Sequence, residues 1–397
     1  MVDGRAPKAK NGSGRIVPRP VTVRLEETAE TAGRQEGTAK VDAAARGGRG
    51  TLSNANGRFE RFDAVAFDDG WGQGDEPAPR IETRVQTDKS RTIITRNDSP
   101  DISFDRSINP YRGCEHGCTY CFARPTHAYL GFSPGIDFES RILAKPDAAR
   151  LLEGELGARS YACRPIAMGT NTDPYQPVEK KLRITRGILE VLERWNHPLT
   201  IVTKSALVQR DIDILGRMAR LNLAKVALSV TTLDRRLARR MEPRAATPEK
   251  RLETIKALSA AGVPVGVMTA PMIPGLNDHE MEAILEAAAK AGATIAGYVM
   301  LRLPLEIKDL FQEWLAAAVP ERAGRVMALI RDMRGGKAYD STFGLRQRGT
   351  GPYADLIAQR FRLATARLGL DISRRPLDIT KFRRPLERDD QMALFGD

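Results

Sequence analysis

The chain has 397 residues, a formal net charge of +12 and an isoelectric point near 9.7. That length can bury a sizeable core, either as one barrel-like domain with tails or as two domains. No apolar run approaches the roughly 20 residues needed to span a bilayer, and the opening M-V-D-G-R-A-P-K-A-K has no apolar signal core. A membrane partner is therefore not expected, a cytoplasmic location with reduced thiols is, and the basic excess points to an anionic partner, nucleic acid first.

From Met1 to about Arg61 the sequence is rich in Gly, Ala, Arg, Thr and Glu, with almost no aromatic or periodic apolar residues. Such a composition buries too little surface to offset ordering entropy, so disorder is expected there. A small apolar patch (Phe62, Val65, Phe67, Trp71) and an acidic, Pro-rich link follow, and 1–79 reads as a basic tail and linker. The globular part is expected from Arg80. Ile81–Gln86 and Arg91–Arg96, separated by Thr87-Asp-Lys-Ser, read as a short β-hairpin leading into N-P-Y-R-G-C-E-H-G-C-T-Y-C.

Cys114, Cys118 and Cys121 stand three and then two residues apart in a chain with only one other cysteine, Cys163. Three thiolates suit a 4Fe–4S cluster whose fourth iron is left open for a ligand. A zinc site is the alternative, with His116, His127 or Cys163 as its fourth ligand. Disulfides are disfavoured by the odd thiol and the reducing compartment.

After the cysteines a βα alternation begins. Strand-like runs at Pro165–Gly169, Leu199–Thr203, Lys225–Val230, Pro264–Thr269 and Ile295–Leu301 are separated by helical patterns at Asp147–Ala158, Thr185–Trp195, Val208–Leu221, Pro248–Ala261 and Asp278–Ala291. Thr247 with Pro248 marks a helix start, and Gly262 and Gly292 mark helix stops. With the strand entering the cysteine loop this makes six βα units. The expected fold is α/β, with a parallel sheet closed into a partial (β/α)6 barrel of the TIM type. Polar or Gly/Pro-rich sequence follows each strand: Gly169-Thr-Asn-Thr-Asp, Lys204-Ser, Ser229-Val-Thr-Thr, Thr269 to Asp278, and Arg302-Leu-Pro. In parallel α/β folds the carboxyl ends of strands open on one face, so these segments would share a mouth with the cysteine loop. From Pro320, helical patterns at Glu321–Met333 and Tyr353–Leu368 form a basic C-terminal extension, 320–397, in which Arg346 and Arg348 are candidates for phosphate contact.

The runs Ser99–Cys121, A-R-P-T-H at Ala123–His127, D-F-E-S-R-I at Asp137–Ile142, T-D-P-Y-Q-P-V-E at Thr172–Glu179, I-V-T-K-S at Ile201–Ser205, M-E-P-R at Met241–Arg244 and P-G-L-N-D at Pro274–Asp278 resemble the radical S-adenosylmethionine (SAM) enzymes. The likeness lies with the branch that includes spore photoproduct lyase. The resemblance covers over half the chain, with its catalytic body at 80–319. It implies that Cys114, Cys118 and Cys121 ligate a 4Fe–4S cluster and that SAM chelates the open iron. Tyr120 would lie against the adenine, and Gly169, Thr170 and Asn171 would hold the methionyl amino group. Ser229 and Thr231 would face the ribose or nearby groups, Arg244 would pair with the cofactor's carboxylate or else with Glu242, and Lys204 would face SAM, the substrate or a structural carboxylate. A reducing donor of flavodoxin or ferredoxin type and a damaged or modified nucleic acid are the implied partners. Cys163 is the only spare thiol for a catalytic hydrogen return, and its place before a strand reads better as structural. The alternatives are a nucleic-acid-binding protein with a structural or redox-sensing cluster, and the same chemistry on a protein or metabolite.

Overall fold

The computed structural model describes residues 40–60, 80–370 and 376–385. Ten strands form two sheets: β1 (Arg84–Thr87), β2 (Ile94–Arg96), β3 (Arg106–Ile108), β4 (Tyr111–Arg112), β5 (Arg141–Ala144), β6 (Ile166–Met168), β7 (Leu199–Thr203), β8 (Ala224–Ser229), β9 (Val265–Met272) and β10 (Ile295–Met300). The larger sheet has the order β10-β9-β8-β7-β6-β3-β2, in which β3 and β6 to β10 are parallel neighbours and β2 is antiparallel on the β3 edge. Each crossover is helical. Ala148–Gly157, Ile184–Arg194, Ile212–Arg220, Pro248–Ala260 and Met281–Lys290 connect successive strands from β3 to β10.

These elements follow the expected pattern because the apolar residues carry it. β7 buries Leu199, Ile201 and Thr203, and β8 buries Ala224, Val226 and Leu228. Each fully buried Leu, Ile or Val contributes about 1.5–3 kcal/mol. Thr247 accepts from the Lys250 N–H at 3.4 Å with Pro248 behind it, and Gly292, at φ +101°, ends the helix before β10. Register places Met168 opposite Ile201, Thr203 opposite Leu228 and Ser229 opposite Met268. The segments beginning at Gly169, Lys204 and Val230 therefore leave the sheet at the same end.

Three expectations need correction. The hairpin does not form: β1 pairs in parallel with β5 in a second sheet, β1-β5-β4, while β2 pairs with β3. The two runs were short and similar, and sequence alone gave no sign that β1 has a partner more than fifty positions on. Residues 40–60, expected to be disordered, are placed against the body, with Arg49, Thr51 and Ser53 buried. Helices Arg235–Met241 and Ile307–Ala318 were not expected. The apolar patch at Phe62–Trp71 lies outside the described residues. At the other terminus, helix Pro352–Leu368 packs beside Met281–Lys290 through Tyr353 to Asp278 (2.6 Å) and Arg360 to Glu282 (2.6 Å). Among the described residues no helix is long and apolar enough to cross a membrane.

The sheet order leaves β2 and β10 on opposite edges, and the segment 337–349 reaches between them. Met300 N–H donates to the Gln347 carbonyl (2.8 Å), and Gly344 N–H donates to Asp101 (2.6 Å) in the loop after β2. Arg346 pairs with Asp101 and donates to the Ser99 hydroxyl (2.7 Å).

Candidate functional site

The cysteine loop begins where β4 ends. Gly113 (φ +78°) turns the chain where a side chain would meet the Phe138 carbonyl, and Cys114 N–H donates to that carbonyl at 2.9 Å. Thr119 N–H donates to the Met241 carbonyl (3.0 Å), and Cys121 N–H to the Cys118 carbonyl (3.3 Å). Cys114 and Cys118 are buried and Cys121 half-buried, and all four cysteines are free. Cys121 packs both on Cys114 with Phe138 and on the cluster that holds Cys118 and Tyr120, so the three share one neighbourhood.

The donor chemistry fits a multi-iron cluster better than one zinc ion. The candidate fourth zinc ligands have other contacts, although among the described residues His127 Nδ1 is buried without a partner. His116 Nδ1 lies 3.4 Å from Asp173 and His127 Nε2 lies 3.0 Å from the Arg141 carbonyl, while Cys163 is at the other end of the sheet. Burial, with Glu242 nearby, pushes the Cys118 thiol up to about 12, and burial also raises Cys114. Bare thiolates are disfavoured there, and a bound cationic group is what would ionise them.

A buried carboxylate, Glu139, holds the loop from behind. It accepts from Arg124 Nη2 (2.6 Å), Gly50 N–H (2.7 Å), Thr51 N–H (3.0 Å) and the Thr51 hydroxyl (3.0 Å). Arg124 also donates to the carbonyls of Cys118 (2.9 Å) and Gly135 (2.9 Å). Gly50 lies so close that a Cβ there would stand 1.8 Å from the Gly117 carbonyl oxygen. The same segment runs on to helix Ile307–Ala318 and its approach, where Ser53 donates to Glu313 (2.6 Å) and Arg58 pairs with Glu306 (3.0 Å). Both Arg124 and Glu139 lie in motif runs noted above, but nothing in the sequence marked them as partners.

The mouth is built from strand ends. After β6, Gly169 (φ +82°) passes so close to β7 that a Cβ would lie 1.9 Å from the Val202 carbonyl. Half-buried Thr170 and Asn171 follow, with Asn171 N–H donating to Asn109 (3.2 Å). Asp173 then accepts from Thr203 (2.7 Å) and Lys204 N–H (2.8 Å). Burial alone would raise its pKa, but His116 and these donors hold it down at about 2.

Two of the expected cofactor residues meet on a side chain that the sequence did not single out, with Lys204 and Ser229 close by. Tyr120 and Thr231 both donate to Glu242 Oε1, the latter at 2.6 Å. Lys204 Nζ stands 5.7 Å from the Tyr120 ring centroid. Arg251, fully buried, pairs with Glu242 and donates to the Ser229 carbonyl (2.9 Å). Burial would raise the Glu242 pKa, but the charges of Arg251 and Lys204 hold it at about 2.

Two expected residues do not join this group. Arg244 pairs with Glu115 (3.4 Å), and its N–H donates to the His116 carbonyl (3.3 Å), so it braces the cysteine loop. Cys163 lies before β6, next to Ala162, whose carbonyl accepts from Arg106 at the start of β3 (2.7 Å). That is the amino-terminal end of the sheet, away from the mouth. Burial raises the Cys163 pKa to about 11, which leaves it a protonated thiol. Arg302, following β10, lies over the exposed ring of Phe122 (4.8 Å), the residue next to Cys121.

Residues 108–288 match the family model described as Radical SAM superfamily. An uncharacterized protein of Mycobacterium tuberculosis is 40% identical over 232 residues, 58% of this chain and 68% of that protein. An uncharacterized protein of Methanocaldococcus jannaschii is 30% identical over 173 residues, covering 44% of this chain and 62% of that protein. Among solved structures, a cysteine-to-serine mutant of spore photoproduct lyase superposes with a TM-score of 0.51 at 15% identity, over 72% of this chain and 78% of that one, a likeness of fold.

Proposed function

The chain belongs to the radical SAM superfamily, whose members bind a 4Fe–4S cluster and SAM, and from that premise we propose that it is a reductive SAM-cleaving enzyme with a nucleic-acid substrate. When bound, the reduced cluster supplies one electron that splits SAM into methionine and a 5′-deoxyadenosyl radical able to take hydrogen from a substrate. Cys114, Cys118 and Cys121 hold the cluster. The observation that carries the reading is the meeting of Tyr120 and Thr231 on buried Glu242 beside Cys118, with Lys204 near the Tyr120 ring.

Lys204 has no carboxylate within ion-pair distance among the described residues and suits the cofactor's carboxylate, while Gly169, Thr170 and Asn171 suit its amino group. Tyr120 supplies a ring held in place through its hydroxyl. Ser229 and Thr231 act through Glu242 and Arg251, which fix the end of β8. The parallel order from β3 to β10 supports a partial (β/α)6 barrel that leaves its mouth to the substrate, which would exclude water from the radical. The working body takes in 40–60 and helix Pro352–Leu368 as well as 80–319. A flavodoxin- or ferredoxin-type reductant and a cytoplasmic location go with this chemistry. The net charge of +12 favours a nucleic acid over a protein or metabolite.

The test is anaerobic reconstitution with iron and sulfide, reduction with dithionite, and chromatography for 5′-deoxyadenosine after SAM is added. The wild-type chain is expected to form it. Cys118→Ala is expected to lose both the cluster absorbance and the product while its far-UV circular dichroism is unchanged. A stable cluster with no SAM cleavage, with oligonucleotides present, would make the cluster a structural or sensing element.

A further inference from the structure

We propose that Arg302 and Arg334, flanked by the ring of Phe122, form a subsite for a phosphate-type oxyanion at the mouth. This deepens the reading above and rests on it for the identity of the mouth.

Arg334 is 5% exposed and donates to the carbonyls of Leu345 (2.7 Å), Arg346 (2.9 Å) and Leu301 (3.1 Å). Its hydrogen bonds are satisfied, yet among the described residues no carboxylate stands within ion-pair distance of it. A guanidinium cannot relieve burial by losing its proton, as a lysine or histidine can. Burial lowers its pKa; Tyr339 and the more distant carboxylate of Asp340 offset part of that, and the neighbouring charge of Arg302 adds to it.

Arg302 adds a second positive charge and the free donors. Among the described residues its Nε is buried without an acceptor, and Nη2 reaches only the Tyr339 hydroxyl at a long 3.5 Å. A guanidinium grips an oxyanion through two parallel hydrogen bonds along its Nε–Nη2 edge, and because Nε is closed off from solvent here, an incoming oxyanion has to displace the packing over it to take both. The nearby carboxylate Asp101 is already taken by Arg346 and the Gly344 N–H. Phe122, 42% exposed, has the same guanidinium over one face of its ring, which leaves the rest of the ring as an apolar contact for the group carrying the anion. Arg346, singled out in the sequence as a phosphate contact, is locked into the 337–349 segment, and the vacant edge belongs to Arg302.

The phosphate can come from a nucleic-acid backbone or from a free nucleotide, and the experiment separates them. The reconstituted protein and its Arg302→Gln and Phe122→Leu variants would be titrated with thymidine monophosphate, thymidine, SAM and a labelled single-stranded oligothymidylate, with circular dichroism confirming the fold. Arg302→Gln is expected to weaken thymidine monophosphate about tenfold, leave thymidine and SAM unchanged, and lower the salt slope of oligonucleotide binding by about 0.7. Phe122→Leu is expected to weaken both nucleotide probes by a smaller, salt-independent factor. Equal affinity for monophosphate and nucleoside, or no effect of Arg302→Gln, would overturn the subsite. So would a loss confined to SAM, which would make Arg302 a cofactor ligand. Arg302-dependent monophosphate binding without oligonucleotide binding would uphold the subsite and remove the nucleic-acid substrate. These are binding measurements, so absent SAM cleavage would count against the proposed reaction alone.

Discussion

Two buried arginines near the cysteine loop are handled in opposite ways. Arg124 is matched: its guanidinium meets Glu139, which also accepts from Gly50 and Thr51, so both charges and nearly all donors find partners inside the protein. Arg334 is surrounded by carbonyl oxygens, with a second arginine as neighbour and Asp340 acting on it only from beyond ion-pair distance, so that among the described residues no carboxylate pairs with it. A closed set of charges holds a loop in place, whereas a surplus of one sign at an open strand end invites a ligand. The first arrangement lies behind the cysteines and the second in front of them.

The largest expected effect tests the closed set. Glu139→Ala leaves Arg124 buried without its counter-charge, and Gly50 and Thr51 without an acceptor. Breaking a buried pair from one side costs about 3–5 kcal/mol, and a loss of that size is expected in urea denaturation followed by far-UV circular dichroism. Iron bound per chain after reconstitution should fall as well, because Arg124 also holds the Cys118 carbonyl. A loss below about 1 kcal/mol, the range of an exposed pair, would show that the hub is no more than a surface contact.

A smaller effect is expected at Gly50→Ala, which leaves every charge in place. Its Cβ would stand 1.8 Å from the Gly117 carbonyl oxygen, a backbone atom that cannot swing aside. Overpacking of this kind typically costs about 1–3 kcal/mol. The expected outcome is a cluster that bleaches faster in air, with the cysteine loop loosened while the sheet keeps its melting behaviour. Unchanged bleaching would mean that residues 40–60 lie on the loop without restraining it.

How much of this was legible in the sequence follows from range. The six parallel strands and their crossover helices were readable because apolar periodicity and caps such as Thr247-Pro248 are local. The three-cysteine spacing was readable for the same reason. The Glu139 hub was not, since Gly50 and Glu139 are 89 positions apart and 40–60 has the composition of a tail. β1 misled because its partner is β5, beyond the cysteine loop. Arg244 is expected at the cofactor from its motif, and its contact with Glu115, more than a hundred positions away, could not be read from the sequence. Glu242 stood in the same motif, but its role needs Tyr120, Thr231 and Arg251 from three separate segments.

The smallest expected effect sharpens the comparison by adding a third way to bury an ionisable group. Among the described residues His197 has no carboxylate partner either, but unlike Arg334 it can give up its charge. Its Nδ1 lies 3.0 Å from the Pro198 carbonyl, which can only accept, so Nδ1 carries the hydrogen and Nε2 accepts from the Tyr161 hydroxyl at 2.7 Å. Burial, aided by the charge of Arg106, lowers its pKa to about 4. An unfolded chain takes up that proton near pH 6.5. Stability from the neutral ring is therefore complete above about pH 6.5 and falls away towards pH 4, by at most about 1.4 kcal/mol per pH unit. Burial also lowers His127 to about 4, so it contributes a similar share. His197→Gln, which cannot titrate, is expected to lower the slope of denaturation free energy against pH between 6 and 5 by one histidine's share. An unchanged slope would mean that His197 takes up its proton inside the fold, and that burial without a counter-charge is tolerated at this end of the sheet as it is at Arg334.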